Sequence, residues 1–329
     1  MKNSLRWSMA IFTIALLAIT LSVASCSSPT SPSSPSASCP FTFYVSSQAE
    51  WDDAVDTINE TYDNLEWTIV VIDDFELPGI TTGTSFAQTD ITVTIRGNRR
   101  ISLSNAGSLL RIGADQEIIL QDVALGGISN NTQPLVRVVG GDLVMQGGSS
   151  ISGNTNGTGS GGNDLHDGGG VRIANNGSFT MYNGTIKGNT ACCGGGVHLQ
   201  NGTFTMINGI ITGNSSLSSR AIVGAGSGGG GGVAIDNGTF NMEGGVISSN
   251  QALTAFGGGV LAWWSTTSSV INKTGGTIYG SDAIPTELAN QAHGTHGHAA
   301  ARGSNTSWRN NTSDDTHTLT SNPVAGWGE

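Results

Sequence analysis

Gly170-Val171-Arg172-Ile173, then Phe179-Thr180-Met181, then Ile186 and Gly188-Asn189, is a phrase that the chain repeats. It returns as Gly196-Val197-His198-Leu199, Phe204-Thr205-Met206, Ile211 and Gly213-Asn214. A third copy reads Gly232-Val233-Ala234-Ile235, Phe240-Asn241-Met242, Ile247 and Ser249-Asn250. A fourth opens as Gly259-Val260-Leu261-Ala262 and continues, degenerate, through Val270, Ile278 and Gly280. Upstream the phrase is audible in Val136-Arg137-Val138, Leu143-Val144-Met145, Ile151 and Gly153-Asn154, and more faintly in Leu110-Arg111-Ile112 and Ile118-Ile119-Leu120.

Each unit holds three short stretches that alternate apolar with polar, the period of a half-buried strand, joined by Gly/Asn turns. One unit of about 25 residues cannot bury its apolar side alone, and stacking successive units sets Val on Val, Phe on Phe and Met on Met. The expected fold is therefore all-β, a parallel β-helix. With strands about 4.8 Å apart, residues 67–280 give roughly eight coils and a rod near 40 Å long. Met and Phe columns at this spacing read as core. Asn154, Asn189, Asn214 and Asn250 share one turn position, where asparagine tolerates left-handed backbone and can bond its stacked neighbour. Asn-Gly-Ser/Thr at Asn176, Asn183, Asn201 and Asn237 reads as turn chemistry.

Composition agrees. The chain has 329 residues, 49 of them glycine, with only 11% charged residues against about 25% in ordinary proteins. Low charge and a net of −11 exclude a basic nucleic-acid binder and charge-rich disorder. The acids are concentrated: residues 40–130 carry 14 acids against 4 bases, while residues 131–280 carry 5 of each.

Outside the repeat the chain divides further. Lys2 and Arg6, the apolar run Met9 to Val23 and the closing Val23-Ala24-Ser25-Cys26 read as a targeting segment over 1–25. Those four residues resemble the lipobox of bacterial lipoproteins, which implies that Cys26 becomes the lipid-modified first residue of the mature chain. Residues 26–39, rich in Ser and Pro, form an extended tether. Residues 40–66 hold a strand, Phe41 to Val45, and a helix opened by the capping-box pair Ser47 and Glu50. Trp51, Val55, Ile58, Tyr62 and Leu65 make its apolar stripe, opposite the acids Asp52, Asp53, Asp56, Glu60 and Asp63. This amphipathic helix is expected to cap the N-terminal end of the coils. Residues 281–329 supply C-terminal strands and a second cap. Of the cysteines after Cys26, Cys39 ends the tether, and Cys192-Cys193 read as a partly buried loop pair without zinc or CxxC spacing.

From Phe41 onward, including Gly275-Gly276-Thr277-Ile278-Tyr279-Gly280 and Trp327, the chain resembles the pectin-lyase-like right-handed β-helices. More narrowly, it resembles Gly/Asn-rich repetitive surface lipoproteins of spirochaetes. The phrase GGGV…GTFTM…GxIxGN is also similar to the repeats of chlamydial polymorphic outer-membrane proteins, without their GGAI and FxxN tetrapeptides. These resemblances imply a right-handed coil displayed on a bacterial outer membrane, and most such lipoproteins have no assigned activity.

No cofactor motif stands out. Polysaccharide lyases and glycosidases on this coil need grouped carboxylates and a base, whereas the outward positions Arg137, Arg172, His198, Ala234 and Leu261, and Val144, Thr180, Thr205 and Asn241, form no carboxylate column. Asp164, His166 and Asp167 sit together in an insertion after the Asn turn. Trp263 and Trp264 present an indole to a sugar or a partner. His293, His296 and His298 are weak metal candidates. The sequence thus points to a lipid-anchored surface protein with a structural or adhesive role and no catalytic activity. Its partners would be the membrane, through the lipid, and a glycan or a host or neighbouring surface protein. A carbohydrate-active enzyme and a mechanical spacer are the alternatives.

Overall fold

A computed structural model of the chain describes residues 41–61, 66–157, 167–217, 229–253, 256–262, 269–292, 300–302 and 309–310. Its strands belong to four stacked sheets that the chain visits in turn. The first, of nine strands, runs from Phe41–Val45 and Glu66–Val71 through Asp142–Gln146, Ser178–Met181, Thr203–Met206 and Thr239–Met242 to Val270–Lys273. The second has eight strands, from Phe75–Leu77 to Thr277–Ile278. The third, also of eight, starts at Leu110–Ile112 and includes Val171–Ala174, Val197–Gln200 and Val233–Asp236. The fourth is narrow, built from Thr190–Ala191, Ser215–Ser216, Gln251–Ala252 and Gln291–Ala292. Strand pairing within the sheets is parallel until Arg309–Asn310, which lies antiparallel to Ala300–Arg302. The architecture is thus all-β and parallel, of the β-helix kind.

Register reproduces the repeat residue for residue. Val171 pairs with Val197 and Val197 with Val233; Phe179 pairs with Phe204 and Phe204 with Phe240; Met181, Met206 and Met242 follow suit. Phe179 stacks on Phe204 at 4.7 Å between ring centroids and Phe204 on Phe240 at 5.0 Å, nearly coplanar. All of these side chains are buried. Each is worth about 1.5–3 kcal/mol relative to exposure, so a stack of identical coils accumulates what no single coil can supply. In the degenerate coil Val270 faces outward and Ile271 takes the Phe position opposite Phe240. Lys273 takes the Met position and is also buried, which ends the Met column on a lysine.

The Asn turn is a ladder of six buried side chains, Asn131, Asn154, Asn189, Asn214, Asn250 and Asn290. The Oδ1 of Asn214 accepts the backbone N–H of Asn189 at 3.0 Å, and Asn214 Nδ2 donates to Ile186 O at 3.0 Å and to Asn250 Oδ1 at 2.9 Å. The Asn154, Asn189 and Asn250 amides likewise bond to the next rung. The left-handed backbone falls one residue earlier than expected, at Gly153, Gly188, Gly213 and Ser249, with φ of +72°, +61°, +62° and +55°. The division of labour is physical: a left-handed corner suits glycine, and the asparagine beside it keeps ordinary backbone and points its amide into the stack.

Helix α1, Gln48–Glu60, buries Trp51, Ala54 and Ile58 and exposes Asp52, Asp53 and Asp56. Trp51 lies 6.3 Å from Phe75 between centroids, so the helix packs where the first two sheets begin. Its capping box is shifted by one residue: Ser47 Oγ accepts from Glu50 N at 3.4 Å, but the Glu50 carboxylate accepts from Ser46 N and Ser46 Oγ at 2.6 and 2.7 Å. Those bonds hold the Glu50 carboxyl below its usual pKa. Tyr62, Asp63 and Leu65 lie outside the described residues. Among the described residues no helix is long and apolar enough to cross a membrane.

Candidate functional site

The third sheet is buried on both of its faces across the strands from Val171–Ala174 to Val260–Ala262. Arg172 and His198, which alternate with the inward Val and Ile/Leu, are each only 2% exposed. Registered pairing places Arg111, Arg137, Arg172 and His198 in one column across four strands, followed by Ala234 and Leu261. Each guanidinium finds a polar partner. Arg111 Nε donates to Gly83 O at 2.7 Å, Arg137 Nη1 to Gln133 Oε1 at 3.3 Å, and Arg172 Nη2 to Gln200 Oε1. Burial, and then the charge of Arg137, lower the pKa of Arg111 below the usual guanidinium value, as expected for like charges stacked one coil apart.

The residues just before each Gly-Gly-Gly corner stack as well. Asp167 bridges to Cys193, Cys193 to Gly229 and Gly229 to Phe256, all in parallel. Glycine is required in the corners that follow. Gly194 has φ +61°, and a Cβ on Gly195 would stand 2.4 Å from Ser215 O and 2.7 Å from Gly231 O. The close approach that excludes a side chain at Gly195 brings neighbouring coils together at this corner. Asp167 is buried, with Oδ2 3.9 Å from His198 Nε2, and Asn156 Nδ2 donates to the Asp167 carbonyl at 3.2 Å. Cys193 is buried and Cys192 partly so. Their sulfurs are 3.9 Å apart, and the Cys192 carbonyl accepts from Ser216 Oγ at 2.7 Å. One donor atom from each of Asp167, Cys192 and Cys193 lies within 4.8 Å of the others.

Of the candidates named from sequence, Asp167 alone is described, and the fold turns it toward His198 and the cysteine pair. Cys26, Cys39, Asp164, His166, Trp263, Trp264, His293, His296 and His298 lie outside the described residues. The grouping of Asp167 with Cys192 and Cys193 escapes a reading by spacing along the chain, because the partners come from adjacent coils. The repeat alignment carries the signal: Asp167 and Cys193 both stand immediately before Gly-Gly-Gly-Val.

Comparison of the chain with protein families, with curated proteins and with solved structures finds no match.

Proposed function

We propose that the chain is a lipid-anchored protein of a bacterial outer membrane, displaying a pectin-lyase-like, right-handed parallel β-helix of roughly eight coils. On this reading α1 caps its N-terminal end, and its role is structural or adhesive rather than catalytic. Right-handedness is the rule for crossovers between parallel strands. The targeting segment, Cys26 and the Ser/Pro tether supply the anchor.

The observation that carries the adhesive reading is where the coils differ in length. The steps from Val136 to Asn154, Val171 to Asn189, Val197 to Asn214 and Val233 to Asn250 are 17 or 18 residues. From the ladder Asn to the next third-sheet Val the step runs from 5 residues, Asn131 to Val136, to 19, Asn214 to Val233. The first arc, which carries the core, keeps a near-constant length, and the second arc does not. Variable segments at one corner of a solenoid line one edge, and such edges are where repeat proteins bind. The test is binding of the full chain to a glycan array and to host or neighbouring cell surfaces, with Trp263→Ala and Trp264→Ala as controls. Saturable binding by the parent chain supports adhesion. Binding to none of these surfaces leaves a spacer, and release of reducing sugar or unsaturated uronide from pectins or glycosaminoglycans overturns the non-catalytic reading.

A further inference from the structure

We propose that Asp167, Cys192 and Cys193 form a binding site for a thiophilic divalent cation, Zn2+ by donor chemistry. Two thiolates and a carboxylate match the ligand preferences of zinc, whereas calcium and magnesium take all-oxygen sets. The spacing of the sulfurs is the first argument. A tetrahedral zinc with bonds of about 2.3 Å to sulfur holds two sulfurs about 3.8 Å apart, and Cys192 Sγ and Cys193 Sγ are 3.9 Å apart. A disulfide would need about 2.05 Å.

The fold also holds the donors in place. Asp167 and Cys193 are locked one above the other by the bridge between neighbouring coils, and Ser216 Oγ fixes the Cys192 carbonyl. The three donors therefore do not have to be gathered from a loose loop when the metal arrives. His198 Nε2, 3.9 Å from Asp167 Oδ2, stands where ligating carboxylates usually have an orienting partner. Cys192 is only partly buried, which leaves a path for the ion and a position for water or an incoming ligand. Binding converts two thiols to thiolates and releases two protons to solvent, so affinity rises with pH.

Differential alkylation of the reduced full chain with and without one equivalent of Zn2+, read cysteine by cysteine by mass spectrometry, tests the site without any substitution. Zinc should protect Cys192 and Cys193 together and leave Cys39 reactive. Titration with Cd2+ should show one thiolate-to-metal charge-transfer band per chain. That band should persist in a His293→Ala, His296→Ala, His298→Ala chain and vanish in Cys192→Ser, Cys193→Ser. Asp167→Asn should weaken binding by at least about 10–100-fold, since loss of a mere outer-shell partner of a ligand already costs that much. Alkylation of Cys192 and Cys193 unchanged by zinc, or a cadmium band that survives loss of both cysteines or is lost with the three histidines, would overturn the proposal.

Discussion

The coils from Phe41 to Gly126 and those from Val136 to Ala262 reach the same stack by different chemistry. In the first group the stacked sheet columns are mainly aliphatic, with Ile69, Val93, Ile95, Ile118 and Leu120 buried, and its aromatics, such as the buried Phe86, do not repeat from coil to coil; ring stacking among the described residues there joins Phe41 and Phe43 to Trp67. Left-handed corners there include Asp90, Asn98, Asp115 and Asp122. Buried polar work is done singly: Gln116 accepts from Gly113 N and donates to the carbonyls of Phe86 and Gln88. In the second group Phe stacks on Phe and a continuous amide ladder runs along the turn. One fold thus tolerates either locally solved corners or one solution copied from coil to coil. Copying makes each coil's stability depend on its neighbours, and that dependence can be measured.

The largest effect should come from Phe204→Ala, which removes the middle ring of the stack. A loss of about 3–5 kcal/mol is expected by chemical denaturation, the range for emptying a buried Phe site. Next is Asn214→Ala, which leaves the Asn189 N–H and the Ile186 carbonyl without their ladder partner. At about 1–3 kcal/mol for each orphaned buried group, the expected loss is about 2–5 kcal/mol. Asn105→Ala in the first group removes one exposed bond, to Gly79 N, and should cost about 1 kcal/mol or less. Equal costs at Asn214 and Asn105 would erase the distinction between the two groups. Gly195→Ala forces a methyl against Ser215 and Gly231 backbone and should cost about 1–3 kcal/mol by steric clash, whereas Gly213→Ala, where no heavy atom lies closer than 4.0 Å but φ is +62°, should cost about 1–2 kcal/mol by left-handed backbone strain. The smallest effect concerns α1. The Glu50 pKa is lowered in the fold, so its contribution is present above the unfolded carboxylate pKa and fades as pH falls through the folded one. Glu50→Gln should abolish that acid-side loss, seen as a flatter dependence of the midpoint on pH, and by well under 1 kcal/mol because the group is near the surface.

These differences also explain what was legible in the sequence. The copied coils announce themselves, since every inward column repeats the same residue, and the registers of Val171, Phe179 and Met181 follow from alignment alone. The earlier coils are visible only as alternating apolar stretches, because aliphatic residues substitute for one another freely in a column and leave no phrase to align. Val270 misleads for a related reason. Once the Phe is gone, two adjacent β-branched residues fit the pattern equally, and only pairing with Phe240 selects Ile271. Asn131 and Asn290 extend the ladder without a preceding glycine to mark them, so the turn signal misses both. At the candidate site, chain spacing hides the meeting of Asp167 with Cys193, because stacking converts a separation of one repeat into direct adjacency.

The central claim is that the fixed arc of each coil holds the rod together while the variable corner does the binding. Its most direct test is the full chain with residues 158–166 and 218–228 shortened to the length of the Asn189 to Val197 corner, assayed for surface binding and for denaturation midpoint. The account expects binding to be lost while the midpoint stays within error of the parent. Undiminished binding by the shortened chain, with the midpoint unchanged, would contradict it.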